Sequence, residues 1–192
     1  MKKLILIIAL VLMLTMSAFA GVIGVYDLTG YYSSNFDFRG FLASPEVDTP
    51  PKMCAWMEAN FIHTRHTAAY TPYQQWIYKT KGDCNDMSTF FLYYFFENFG
   101  DKHVKQIYIR CNENTAHMIS AYYWYWVGPF YYTSNQHHYG PFDSYADCVA
   151  DWDSRNSKHS VKWYNIYDYD LNLVQSSKSP TGVPDIAPSC LE

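Results

Sequence analysis

A chain of 192 residues with 49% hydrophobic and 17% charged side chains is long enough to bury one sizeable core, and its formal charge of -4 argues against nucleic acid as a partner. Aromatic residues make up 19% of it, with 19 tyrosines among them, so the expected core is one of aromatic slabs whose hydroxyls stay hydrogen-bonded or wet. Five cysteines, Cys54, Cys84, Cys111, Cys148 and Cys190, are an odd number, which in an exported chain leaves at least one thiol without an internal partner.

Residues 1–20 read as a signal peptide: Lys2 and Lys3, an uncharged apolar run from Leu4 to Met16, then small residues at Ala18 and Ala20 before Gly21. An uncleaved anchor is the alternative. Cleavage would leave 12 basic against 18 acidic residues, a formal -6, in a secreted or periplasmic protein with no membrane contact. Residues 21–175 then form a single domain, and 176–192, rich in Ser and Pro, a loose C-terminal tail unless Cys190 fastens it.

Residues 21–47 mix Gly, Ser, Asp and aromatics without periodicity and suggest an irregular entry with one short strand. Thr49-Pro50-Pro51 opens a helix, because proline suits a first turn whose N–H groups are orphaned anyway, and an apolar face runs from Cys54 through Trp56, Met57 and Phe61 to about His63. Thr71-Pro72 opens a second helix that runs to a stop at Gly82. Next comes Gly82-Asp83-Cys84-Asn85-Asp86, followed by Met87 to Phe99, an apolar run too long for an ordinary strand and closed by Gly100: a third, buried helix. Beyond Gly100 the period falls to two. Val104–Cys111, Thr115–Trp126 and Phe130–Ser134 predict an antiparallel meander, Asp143 or Ser144 caps a further helix through Cys148 and Trp152, and Ser160–Tyr169 predicts another strand. The fold class is therefore α+β, N-terminal helices packed on an antiparallel sheet.

The chemistry centres on Cys84. In the first turn of a helix the unpaired N–H groups and the positive end of the dipole favour an anion, and the thiolate is the form that attacks carbonyl carbon. Such a nucleophile needs an imidazole partner and a third group to orient it. His117, 33 residues on in Thr115-Ala116-His117-Met118, supplies the imidazole, and Asn135 ends the next strand 18 residues later. With the hairpin tip centred near Trp126, positions 117 and 135 lie opposite each other, so the Asn135 side-chain oxygen would accept from one ring nitrogen and leave the other for Cys84. Gln74 or Gln75 would add a side-chain donor to an oxyanion hole otherwise built of backbone amides. Cys84 is then the free thiol, with disulfides among some or all of the other four cysteines.

The run Met53 to Asn60, Thr71-Pro72, Lys81-Gly82-Asp83-Cys84-Asn85-Asp86 and Thr115-Ala116-His117 resembles the transglutaminase-like superfamily, most closely bacterial transglutaminase-like cysteine proteinases with a Gly-Asp-Cys-x-Asp motif, over about residues 50–136. The resemblance implies a papain-like core, Cys84 as nucleophile, His117 as its base and later acid, and Asp86 as a structural carboxylate at the helix start. The family's third residue is usually Asp, where Tyr131-Tyr132-Thr133-Ser134-Asn135 offers only Asn or Ser.

Each feature also has a plainer structural explanation. Cys84 would serve equally as a buried cysteine or half a disulfide, and His117 as a hydrogen-bonded strand histidine. His63 with His66, and the pair His137-His138, lack a third ligand for zinc and read as surface or loop residues. Tyr122 to Trp126 belong to the sheet core and hairpin tip, and Met87 with the phenylalanines after it to the core. Two functions follow. One is an exported thiol enzyme acting on peptide or carboxamide bonds of a protein or peptide substrate, without metal or organic cofactor, with hydrolysis favoured over transamidation. The other is a non-catalytic module on the same scaffold that grips glycan or peptide with its aromatic rings.

Overall fold

The computed structural model describes residues 36–64, 71–78, 81–100, 103–112, 115–123, 128–170 and 172–177; the signal segment and most of the tail lie outside them. In chain order the elements are α1 (Phe36–Leu42), α2 (Pro50–Asn60), β1 (Ile62–His63), α3 (Pro72–Tyr78), β2 (Lys81–Gly82), α4 (Cys84–Phe99), β3 (Val104–Cys111), β4 (Ala116–Tyr123), β5 (Phe130–Ser134), β6 (His137–Phe142), α5 (Tyr145–Arg155), β7 (Val161–Tyr167) and β8 (Leu173–Ser176). Among the described residues no helix is long and apolar enough to cross a membrane.

The last six strands make one antiparallel sheet in the order β6-β5-β4-β3-β7-β8, and β1 and β2 form a separate parallel pair. This is the α+β arrangement expected, with two additions. The segment read as irregular contains α1, because Phe38 and Leu42, four apart and both buried, give it one apolar edge. The His137-His138 pair, read as loop or surface, opens β6. The helix expected to run to Gly82 ends at Tyr78, and Gly82 instead pairs with His63 across β1 and β2.

Period two along β4 divides the sheet's two faces. On one lies α4 with α1 and α2 over it: Met53, Met57, Phe90, Phe91, Phe95 and Tyr122 share a core there, with Phe91 and Phe95 centred 5.6 and 4.8 Å from the Tyr122 ring. On the other lies α5, where Ile107, Ile109, Ile119, Tyr132, Cys148 and Trp152 form a second core. α4 is fixed on its face by a buried polar contact. Ser120 Oγ donates to the Ser88 carbonyl oxygen at 3.0 Å, the two hydroxyls lie 2.7 Å apart, and Gln106 Nε2 donates to Ser88 Oγ and Thr89 Oγ1, both at 3.4 Å. Ser88 over Ser120, with Phe91 and Phe95 over Tyr122, makes α4 run alongside β4 in the same direction.

Candidate functional site

The helix-start cysteine comes first, because the local sequence builds its setting. Asp83 is the N-cap of α4: its Oδ1 accepts from the backbone N–H of Asn85 at 2.9 Å and of Asp86 at 3.3 Å, while Asp86 Oδ2 accepts from the Asp83 N–H at 3.0 Å. This reciprocal capping box makes Cys84 the first helical residue, one turn before Ser88. From there the side chain packs on Met118 of β4 and Tyr108 of β3 and is fully buried. Asp86, 1% exposed, has the structural role assigned to it.

The cysteine chemistry is the reverse of the expectation. Cys54, Cys111 and Cys148 are buried, and among the described residues no disulfide joins two cysteines. Cys84 is the disulfide-bonded one, its partner lying outside the described residues. Burial in an apolar core governs the chemistry of these three. It pushes the Cys148 thiol up to about 12, and the Cys54 thiol higher still with help from the nearby Glu58 carboxylate.

His117 stands second in β4, at the same end of the sheet as the start of α4. Its odd-numbered position, however, puts it on the α5 face, paired with Ile109 across the strands and with its ring stacked on Trp152 at a centroid separation of 5.2 Å. Met118, the neighbour that touches Cys84, points the other way. The sequence motif therefore brings the sulfur and the imidazole to one end of the sheet, but on opposite faces. Burial holds the imidazole neutral: its pKa falls to about 3, with the nearby imidazole of His63 lowering it further.

The third group also differs from the expectation. His117 Nε2 is hydrogen-bonded to Ser134 Oγ at 2.8 Å, not to Asn135. The cause is register: Ile119 pairs with Ser134 and Tyr122 with Tyr131, one residue away from the alignment that would set 117 opposite 135. Asn135 instead turns the chain between β5 and β6 at φ 52°, a conformation asparagine tolerates. Neither its buried Oδ1 nor His117 Nδ1 makes a hydrogen bond among the described residues.

The two glutamines offered for the oxyanion hole sit on α3. Gln74 Oε1 accepts from the Thr71 N–H at 3.0 Å and Thr71 Oγ1 from the Gln74 N–H at 3.1 Å, a cap on α3, and Gln75 is buried. Among the described residues no cluster of three His, Cys, Asp or Glu side chains could hold a metal. His138 is engaged with the Tyr122 hydroxyl and stacked on Tyr131.

His63, read from sequence as a surface or loop histidine, stands in β1 instead. Its strand pairs in register with Gly82, and the Thr64 N–H reaches the Gly82 carbonyl at 2.9 Å, so this histidine lies beside the chain leading into Cys84. A two-residue strand carries no periodicity from which that could have been read.

No family model and no curated protein matches the chain. Among solved structures it is similar to Legionella pneumophila LapG in its calcium-bound form, at a TM-score of 0.45 and 12% identity, over 82% of this chain and 86% of that one.

Proposed function

We propose that the protein is an exported, transglutaminase-like thiol enzyme that acts on peptide or carboxamide bonds when Cys84 is reduced. The observation that carries this reading is the setting of Cys84 at the first position of a 16-residue capped helix, where the helix dipole favours both a thiolate and a later oxyanion. In the proposed reaction the neutral His117 imidazole takes the Cys84 thiol proton, the thiolate attacks the carbonyl carbon, the imidazolium returns that proton to the departing amine, and water resolves the acyl-enzyme more readily than a second amine does. His117 Nδ1, buried and without a hydrogen bond among the described residues, is the nitrogen left for this step once Ser134 has engaged Nε2. Since the ring faces α5, the step requires the first residues of β4 to turn it toward Cys84. Asn135, adjoining Ser134, is the alternative orienting group.

The test is incubation of the reduced protein with a peptide library, mass spectrometry scoring cleaved, deamidated and cross-linked products. Cleavage is expected from wild type and none from Cys84→Ala. His117→Ala should lower the rate roughly a hundredfold or more. No product from reduced wild type would reject the enzyme.

One observation favours a second reading, a glycan- or peptide-binding module. Cys84 is buried and oxidised, while His117 stacks on Trp152 across the sheet. That reading expects ligand retention by Cys84→Ala and equal, sluggish alkylation of reduced wild type and His117→Ala by iodoacetamide.

A further inference from the structure

We propose that His63 is a second imidazole of the site, a relay that carries the Cys84 thiol proton round the end of the sheet to His117. The inference rests on the enzyme reading, in which the sulfur and His117 stand on opposite faces of the sheet. Three observations put His63 between them. It pairs with Gly82 in the parallel ladder of β1 and β2, and the Thr64 N–H reaches the Gly82 carbonyl at 2.9 Å, so its backbone runs alongside the chain entering Cys84. Ladder partners also carry their side chains on one face, and a Cβ on Gly82 would meet the Asp86 Cβ at 3.0 Å. The His63 ring therefore stands on the face that looks onto the first turn of α4, beside a position where glycine leaves room. Finally, the ring is near enough to His117 for its charge to act there, lowering that pKa beyond the effect of burial.

A neutral imidazole suits this place because it has one bare ring nitrogen and one N–H, so it accepts on one side and donates on the other. As the Cys84 S–H bond breaks, the bonding pair stays on sulfur and the proton goes to the bare nitrogen of His63. The proton waits there. Burial holds the pKa of His117 to about 3 and makes it a poor resting acceptor, whereas the half-buried His63 ring keeps contact with water. The other N–H proton of His63 then passes to His117 Nδ1, which is buried and makes no hydrogen bond among the described residues. His63 is left neutral in its second tautomer, and the His117 imidazolium, disfavoured by its surroundings, readily gives the proton to the departing amine. One proton has left sulfur and one has reached the amine. With the relay, the turn of the first β4 residues is needed for that delivery alone.

The experiment uses the full chain, reduced with dithiothreitol and then freed of it, and follows alkylation of Cys84 by iodoacetamide through peptide mapping. In His63→Gln the rate at pH 7 should fall roughly tenfold or more below wild type, and the two should converge at pH 9.5, where hydroxide ionises the thiol without a base. Imidazole added at pH 7 should restore part of the rate to His63→Ala. Equal rates at pH 7 would overturn the relay, as would a loss of the same factor at both pH values that imidazole does not repair, the mark of a structural residue. Should both variants fail to fold, wild type carries the test. With carbon-13 histidine in the chain, alkylating Cys84 should move the ring signals of His63 and His117 together, and a His63 signal that stays in place overturns the assignment. Alkylation that depends on His63, with no product from the peptide library, ends the enzyme reading and leaves the relay. Product formed by His63→Gln at the wild-type rate ends the relay and leaves the enzyme.

Discussion

The imidazole of His117 is enclosed by Trp152, Ile109 and Ser134, and that enclosure makes it a point of acid sensitivity. Burial lowers its pKa to about 3, below the ordinary histidine value of 6.5, so the folded protein binds this proton less readily than the unfolded chain. The sign follows directly. The stability tied to the neutral ring is fully present above about pH 6.5 and is lost as the pH falls from there toward about 3. At 1.36 kcal/mol per pH unit the loss by pH 4 is on the order of 3 kcal/mol. His138, whose pKa burial also lowers, acts in the same direction. Urea unfolding at pH 7 and pH 4.5 should show a steep loss in wild type and a shallower one in His117→Phe, which keeps the ring on Trp152 and removes the titration. Equal losses in the two proteins would mean that other groups govern the acid response. The same residue shows why the site was only half legible. Type and spacing marked Cys84 and His117 as partners, but the face a strand residue occupies depends on register, and a single step of register exchanged Asn135 for Ser134.

At the scale of elements, the start of α4 sets where the sulfur stands. Its capping box answers three backbone N–H groups with two carboxylates, and Asp86 is too buried for water to replace it. Asp83→Ala should cost about 1 kcal/mol in urea unfolding, the usual loss for an N-cap, with Asp83→Asn closer to wild type. Gly82→Ala tests the same corner sterically: an added Cβ would meet the Asp86 Cβ at 3.0 Å and push the capping carboxylate off the Asp83 N–H. A loss of roughly 1 to 2 kcal/mol is expected for it, and a neutral substitution would show that the corner yields. The helices with proline at their first turn, α2 and α3, and the long apolar α4 were readable because those signals are local. β1 and β2, two residues each, and the short α1 are held by pairing and packing with distant segments, and nothing in their own sequence announces it.

Across the whole molecule, one sheet is shared by two cores, and β3 and β4 belong to both. Phe91 fills the α4 side against Tyr122, and Ile119 fills the α5 side; both are fully buried. If the cores were independent, each would melt alone. Here neither can lose its packing without exposing the back of the strands that the other needs. Phe91→Ala and Ile119→Ala, each removing roughly 2 to 5 kcal/mol, should therefore lower the same transition. With the Cys84 disulfide kept intact throughout, since its reduction during unfolding would add a second process, far-ultraviolet circular dichroism and tryptophan fluorescence should give coincident midpoints for both variants and wild type. Trp56 lies on the α4 side and Trp152 on the α5 side, so fluorescence samples both cores and a split would be visible. Two separated transitions in Ile119→Ala, with the α4 side outlasting the other, would make the faces separate cooperative units. That outcome would also change the chemistry open to the site, because an α5 layer that opens alone would free the His117 ring from Trp152 without unfolding the helix that carries Cys84.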